Sequence, residues 1–198
     1  NATNTGKPLV LSGTYYISKD IKVFLRNNLL VDARRAKFIA TKKLDGDMFS
    51  LDAHVKKSAD CGAKGQMNIV WVGGEFNMAD AKVSKVVPIT KLTPKGKTGL
   101  KSTADALSIR SHNKGLDKVN HVKIQGIKVV GTKNNTDPFY LAGGDSGILM
   151  AGPKSAELIG NEFYGIRDAA IYASAAGETG EIGDNYICIR YFTHHSLS

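Results

Sequence analysis

The sequence predicts an all-β protein, a right-handed single-stranded parallel β-helix of roughly six to seven coils with loop excursions. Three observations carry that expectation. First, Glu157-Leu158-Ile159-Gly160-Asn161-Glu162-Phe163 returns as Glu181-Ile182-Gly183-Asp184-Asn185-Tyr186-Ile187, with Leu158, Asn161 and Phe163 each displaced by 24 residues. Second, Gly147-Ile148-Leu149-Met150-Ala151-Gly152 is echoed by Ala170-Ile171-Tyr172-Ala173-Ser174 at a shift of 23. Third, every apolar segment is short and alternating, and none has the 10–12 residues of 3.6 periodicity that a helical repeat needs. Short alternations at a fixed period of this size mark a solenoid built from strands.

In order along the chain, Pro8-Leu9-Val10-Leu11 and Tyr15-Tyr16-Ile17 flank a Ser12-Gly13-Thr14 turn. Ile21 to Leu25 and Leu29 to Asp32 follow, broken by Asn27-Asn28, and then Lys37 to Ala40 and Met48 to Leu51. Ala53 to Met67 is polar and reads as a loop before strand character returns at Asn68 to Phe76. Ala81 to Ala104 holds Lys82, Lys85, Lys91, Lys95, Lys97 and Lys101, and Pro88, Pro94, Gly96 and Gly99 keep most of it out of regular structure. Such a long excursion reads as a solvated loop or as a basic flap over an anionic polymer. The pattern resumes at Asp105 to Ile109 and His121 to Val129, is interrupted from Gly131 to Gly144, and then continues. Leu107, Ile109, Ile124, Ile148, Met150, Leu158, Phe163, Ile171, Ile182 and Ile187 are expected to face the interior.

The 198 residues are 42% hydrophobic, with 21 glycines against five prolines, which suits one globular domain rich in tight turns. Residues 1–198 are therefore read as a single domain, with the lack of an initiator Met suggesting a fragment of a longer chain. No apolar run approaches a membrane span. Cys61 and Cys188 lie 127 positions apart and the five histidines form no H-x-x-x-H pair, so no metal or other cofactor is expected. A net charge of +9 and a pI near 9.5 suit a polyanionic partner as well as simple solubility. Charge alone suggests nucleic acid, for which no recognition motif or aromatic-basic interleaving is present.

Lys7-Pro8-Leu9-Val10-Leu11-Ser12-Gly13-Thr14-Tyr15-Tyr16-Ile17 resembles the opening coil of pectate-lyase-like right-handed parallel β-helices, and Val31-Asp32-Ala33 through Ala40 resembles their second coil. Asn161-Glu162-Phe163 and Asn185-Tyr186-Ile187 resemble their Asn-x-apolar turns. The family includes phage tailspikes and polygalacturonases. The resemblance implies a polysaccharide-binding and -degrading protein, extracellular or on a virion tail, most often a homotrimer, acting on an acidic polysaccharide. Thr103-Ala104-Asp105-Ala106 and Gly144-Asp145-Ser146-Gly147 resemble two acidic motifs of polygalacturonases, with the paired Asp reduced to one and no Gly-His-Gly near Ala169-Ala170.

Chemistry is expected on an acidic column. Asp105, Asp145 and Asp168 each stand just before an inward strand, Asp145 and Asp168 in register and Asp105 offset by one; Asp47 occupies a comparable place further back. Neighbouring strands lie about 4.8 Å apart, so Asp145 and Asp168 would present carboxylates at about the separation of a retaining glycosidase pair. Stacked carboxylates raise one pKa, keeping one acid protonated to donate while its neighbour stays ionised. The competing role is that of turn former, in which Asp accepts nearby backbone N–H groups. Arg167 is the expected carboxylate-binding cation. Trp71 would point outward and stack on a sugar if Val70 and Val72 face inward. A lyase would instead abstract a proton beside a uronate. The alternative class is a non-catalytic adhesin or structural spike that only binds.

Overall fold

The computed structural model describes residues 6–25, 28–52, 67–81, 85–88, 98–101, 104–110, 119–131, 140–141, 146–151, 153, 155–166 and 169–174. The described residues form sixteen strands and no helix, in two parallel sheets and one small mixed sheet. No helix among them is long and apolar enough to cross a membrane.

The chain makes five passes through the two parallel sheets. The first pass supplies β1 (Leu9–Ile17) and β2 (Ile21–Phe24), and the second supplies β3 (Leu29–Ala40) and β4 (Phe49–Asp52). In the third pass come β5 (Met67–Val72) and β6 (Glu75–Asn77). Two short strands of the lysine-rich excursion follow, β7 (Lys85–Pro88) and β8 (Thr98–Lys101), before β9 (Leu107–Arg110) ends that pass. The fourth holds β10 (Val119–Gln125), β11 (Lys128–Val130), the brief β12 (Tyr140–Leu141) and β13 (Ser146–Ala151). The fifth holds β14 (Ser155–Ile159), β15 (Glu162–Tyr164) and β16 (Ala169–Ser174). The repeat at Glu181 to Ile187 lies outside the described residues.

Each pass adds one strand to the sheet β2-β4-β9-β13-β16, and every pairing in it is parallel. Register stacks Ile21, Phe49, Leu107, Ile148 and Ile171 in one column, and Val23, Leu51, Ile109, Met150 and Ala173 in a second. Leu107, Ile109, Ile124, Ile148, Met150, Leu158 and Phe163 are buried as the alternation predicts, and Ile171 packs against them half-buried. Ile182 and Ile187 lie outside the described residues.

The larger sheet runs β14-β10-β5-β3-β6-β11-β15, with β1 also on β3. Leu29–Asp32 of β3 pairs with β5 while Lys37–Ile39 pairs with β6, so one long strand spans both halves. Later passes divide the same stretch at a glycine in the left-handed region: Gly73 (φ +71°), Gly126 (φ +66°) and Gly160 (φ +60°). At Gly73 the approach is also close, since an added Cβ would lie 2.6 Å from Arg34 Cα. Asn161 seals the corner, taking the Ile127 N–H at 3.1 Å and donating to the Ile124 carbonyl at 3.0 Å. With both its oxygen and its nitrogen hydrogen-bonded, a polar side chain only 3% exposed is tolerated.

On the outer surface Lys37 pairs with Glu75, Glu75 with Lys128, and Lys128 with Glu162 in strand register, an alternation of sign from pass to pass. The Lys37–Glu75 ion pair closes to 2.9 Å. Like charges opposite one another are unfavourable in a sheet, so this order supports one register over a slipped one.

One expectation is corrected. Trp71 is 2% exposed and packs in the core, with Phe49 at 5.1 Å, Phe76 at 5.9 Å and Phe38 at 6.3 Å between ring centroids. The inward set of β5 is Met67, Ile69 and Trp71, leaving Val70 and Val72 on the outer side. Within the excursion from Ala81 to Ala104, two short strands are described. β7 and β8 form an antiparallel pair, and β12 of the next excursion joins β8 in parallel, so two insertions far apart in sequence share one small sheet.

Candidate functional site

The acidic column forms where each pass enters the sheet containing β4, β9 and β13. Asp47 sits two residues before Phe49 and Asp105 two before Leu107, which brings equivalent turns into contact. Asp47 Oδ1 accepts the Asp105 N–H at 3.3 Å, and Asp105 Oδ1 accepts the Ser146 N–H at 3.0 Å. Each carboxylate therefore holds the backbone of the following pass. Backbone bonds run through the same turns, from Met48 N–H to the Asp105 carbonyl and from Ala106 N–H to the Ser146 carbonyl.

Asp20 extends the column. The Ser50 hydroxyl lies 2.9 Å from Asp20 Oδ1 and 3.0 Å from Asp47 Oδ2, bridging two carboxylates with one proton. Burial raises the Asp20 pKa above the ordinary value, and the neighbouring Asp47 charge adds to it, against the lowering effects of Ser50 and Lys22. On the solvent side Arg110 reaches Asp47 Oδ2 at 3.5 Å and donates through Nε to Ser108 Oγ at 2.9 Å.

Asp105 thus departs from its expected place. The residue is 4% exposed and its Oδ1 takes a backbone N–H, so it is not presented on an outer face. The geometry is that of a turn former, because an acceptor held by a buried amide is the cheapest way to satisfy that amide. No family model, curated protein or solved structure matches this chain.

Asp145, Asp168 and Arg167 lie outside the described residues. The strands that follow the two acids are described, and Ser146 pairs with Ala169 in them, directly after Asp145 and Asp168 in sequence. Trp71 contributes nothing to an outer face; its indole N–H donates to the Gly73 carbonyl at 3.0 Å inside the core.

A second set of reactive side chains escapes a reading of the sequence. His121 and Ser155 are paired in register on β10 and β14, and Lys123 and Glu157 likewise. His121 Nδ1 lies 2.8 Å from Ser155 Oγ, His121 Nε2 lies 3.6 Å from Glu157 Oε1, and Lys123 Nζ lies 3.0 Å from Glu157 Oε2. The Lys123 ammonium, with the His121 ring as a lesser contributor, holds the Glu157 carboxyl below its ordinary pKa. The partners are 34 residues apart, so only the strand register brings them together. A test of outward positions at that offset could have found them.

Proposed function

We propose that the chain is a right-handed single-stranded parallel β-helix of the pectate-lyase-like type, and that it binds an acidic surface polysaccharide along its side and cleaves it. In that reading it acts as a phage tailspike-type depolymerase, extracellular or on a virion tail. The observation that carries it is the in-register parallel stack in which five successive passes each add one strand in sequence order. Crossovers between parallel strands of one sheet are overwhelmingly right-handed, which supplies the hand. A stack of this kind offers a long, regular flank suited to an extended polymer. The net charge of +9 favours a polyanion.

For the chemistry, the reading relies on Asp145 and Asp168. The pairing of Ser146 with Ala169 supports it, since neighbouring strands at about 4.8 Å suit a close carboxylate pair. One acid would protonate the glycosidic oxygen and the other would attack or stabilise the sugar cation, with Arg167 holding a uronate carboxylate. The non-catalytic adhesin is favoured by a different observation, the engagement of Asp105 with backbone, which removes one acid from the column.

An Asn series separates the two. On a panel of acidic glycans, with reducing ends and ultraviolet-absorbing unsaturated ends read separately, Asp145→Asn and Asp168→Asn are expected to lower cleavage at least 100-fold while binding persists. Asp105→Asn, which keeps the acceptor oxygen for Ser146, is expected to change neither. Binding without cleavage by the unaltered chain establishes the adhesin, and full turnover by the double variant ends the carboxylate proposal. A homotrimer accompanies the tailspike reading. Light scattering should then give three times the 21.3 kDa of one chain, and a monomer would remove that reading without touching the fold.

A further inference from the structure

The outer side of β10 and β14 carries a constellation that the polysaccharide reading does not use. A β-bulge begins it: Val119 pairs with Met67 and His121 with Asn68, so β10 spends one extra residue, Asn120, against β5. Bulges re-aim side chains and recur beside active sites. This one turns Asn120 and His121 both toward the outer side, where Asn120 Nδ2 donates to Asn68 Oδ1 at 3.4 Å.

We propose that Ser155, His121 and Glu157 form a reactive centre that hydrolyses carboxylate esters by acyl transfer. Ser155 is the nucleophile, His121 the general base, and Glu157 the group that faces the imidazolium. Nucleophile and base must be in hydrogen-bond reach, which the 2.8 Å Ser155–His121 contact meets, and Glu157 faces the opposite ring nitrogen at 3.6 Å, an ion-pair rather than a hydrogen-bond distance. The Ser155 hydroxyl has one proton and two acceptors, His121 Nδ1 at 2.8 Å and the Asn120 carbonyl at 3.3 Å. Nδ1 is the nearer of the two, and in the reactive arrangement it takes the proton, which requires the ring hydrogen on Nε2, toward Glu157.

The reaction balances with water as the only co-reactant. As Ser155 Oγ bonds to the ester carbonyl carbon, its proton passes to His121 Nδ1 and the carbonyl electron pair moves onto oxygen. Asn68 stands opposite His121 in register, and its side-chain amide is the donor assigned to that oxyanion. Collapse breaks the ester C–O bond, and the departing alkoxide takes the proton from Nδ1. Water then attacks the acyl-serine, giving its proton to His121, which returns it to Ser155 Oγ as the carboxylic acid leaves. Glu157 at 3.6 Å stabilises the imidazolium in both halves and is itself kept ionised by Lys123 at 3.0 Å.

The test uses the 198-residue chain with p-nitrophenyl acetate and, separately, a fluorophosphonate probe that loses fluoride to an activated serine. Saturable hydrolysis is expected, falling about 100-fold or more in both Ser155→Ala and His121→Ala. Glu157→Gln should retain part of the rate. A free imidazole also cleaves this ester, so Ser155→Ala is the deciding variant. The probe keeps the question open to refutation even if a variant misfolds, because it reads the unaltered protein and should leave its phosphonyl group on the peptide containing Ser155. Hydrolysis no faster than imidazole, an undiminished Ser155→Ala rate, or the absence of the Ser155 adduct would each overturn the assignment. None of these outcomes bears on glycan cleavage.

Discussion

Trp71→Ala is expected to lower stability by about 3–5 kcal/mol, the cost of emptying a large aromatic site in a packed core. For a chain of this size that corresponds to a fall in Tm on the order of 10 °C. The physical cause is the aromatic cluster. Trp71 fills the space between Phe38, Phe49 and Phe76, which pack at 4.9 to 6.3 Å from one another and from it. The four come from four separate strands, β3, β4, β5 and β6, with β4 in one parallel sheet and the rest in the other, so the cavity would loosen both sheets at once. Trp71→Phe should cost less, retaining a ring while leaving the Gly73 carbonyl without its indole donor, a loss of about 1–3 kcal/mol. Urea denaturation measures both. A sugar platform on the surface would behave in the opposite way, with unchanged stability and weakened glycan binding, and that result would refute the core assignment.

Gly147→Ala is expected to be clearly destabilising although it adds a single methyl group. A Cβ at Gly147 would lie 2.5 Å from the Phe163 ring carbons Cδ1 and Cε1 and 2.6 Å from the Ala170 carbonyl oxygen. The ring could turn, but the carbonyl belongs to β16, whose flanking residues pair with β13 at Ser146–Ala169 and Ile148–Ile171. Overpacking of this kind costs about 1–3 kcal/mol, and here the relief available is to draw β16 away from its neighbour. Hydrogen exchange should therefore show faster exchange first in β16, with the strands of the first three passes protected. Combining the change with Phe163→Leu should recover only part of the loss, because the contact with backbone remains. A Gly147→Ala protein as stable and as protected as the parent would show that the close approach is not there.

The two substitutions also mark where a linear reading stops. Strand character and the period of 23 residues were legible, since alternation is a local property and Ile148 and Ile171 do pair. Several interior positions follow for the same reason: Ile109 stands between Ser108 and Arg110 and Ile124 between Lys123 and Gln125, so one face is clearly marked. At Ile69-Val70-Trp71-Val72 both alternate sets are apolar, and the pattern cannot say which faces inward. A slip of one residue exchanges the faces, and the buried room for an indole beside Phe38, Phe49 and Phe76 decides it. The acidic column shows a similar division. That Asp47 and Asp105 recur before an inward strand is written in the chain, but whether a carboxylate meets solvent or an amide depends on the next pass. The Asp105 carboxylate meets the Ser146 N–H, 41 residues on. His121 and Ser155 are plain letters 34 positions apart until β10 and β14 pair. Local alternation determined the strands and most of their buried faces; contacts between passes, which have no local signature, decided where Trp71 points, what Asp105 holds and which side chains could react together.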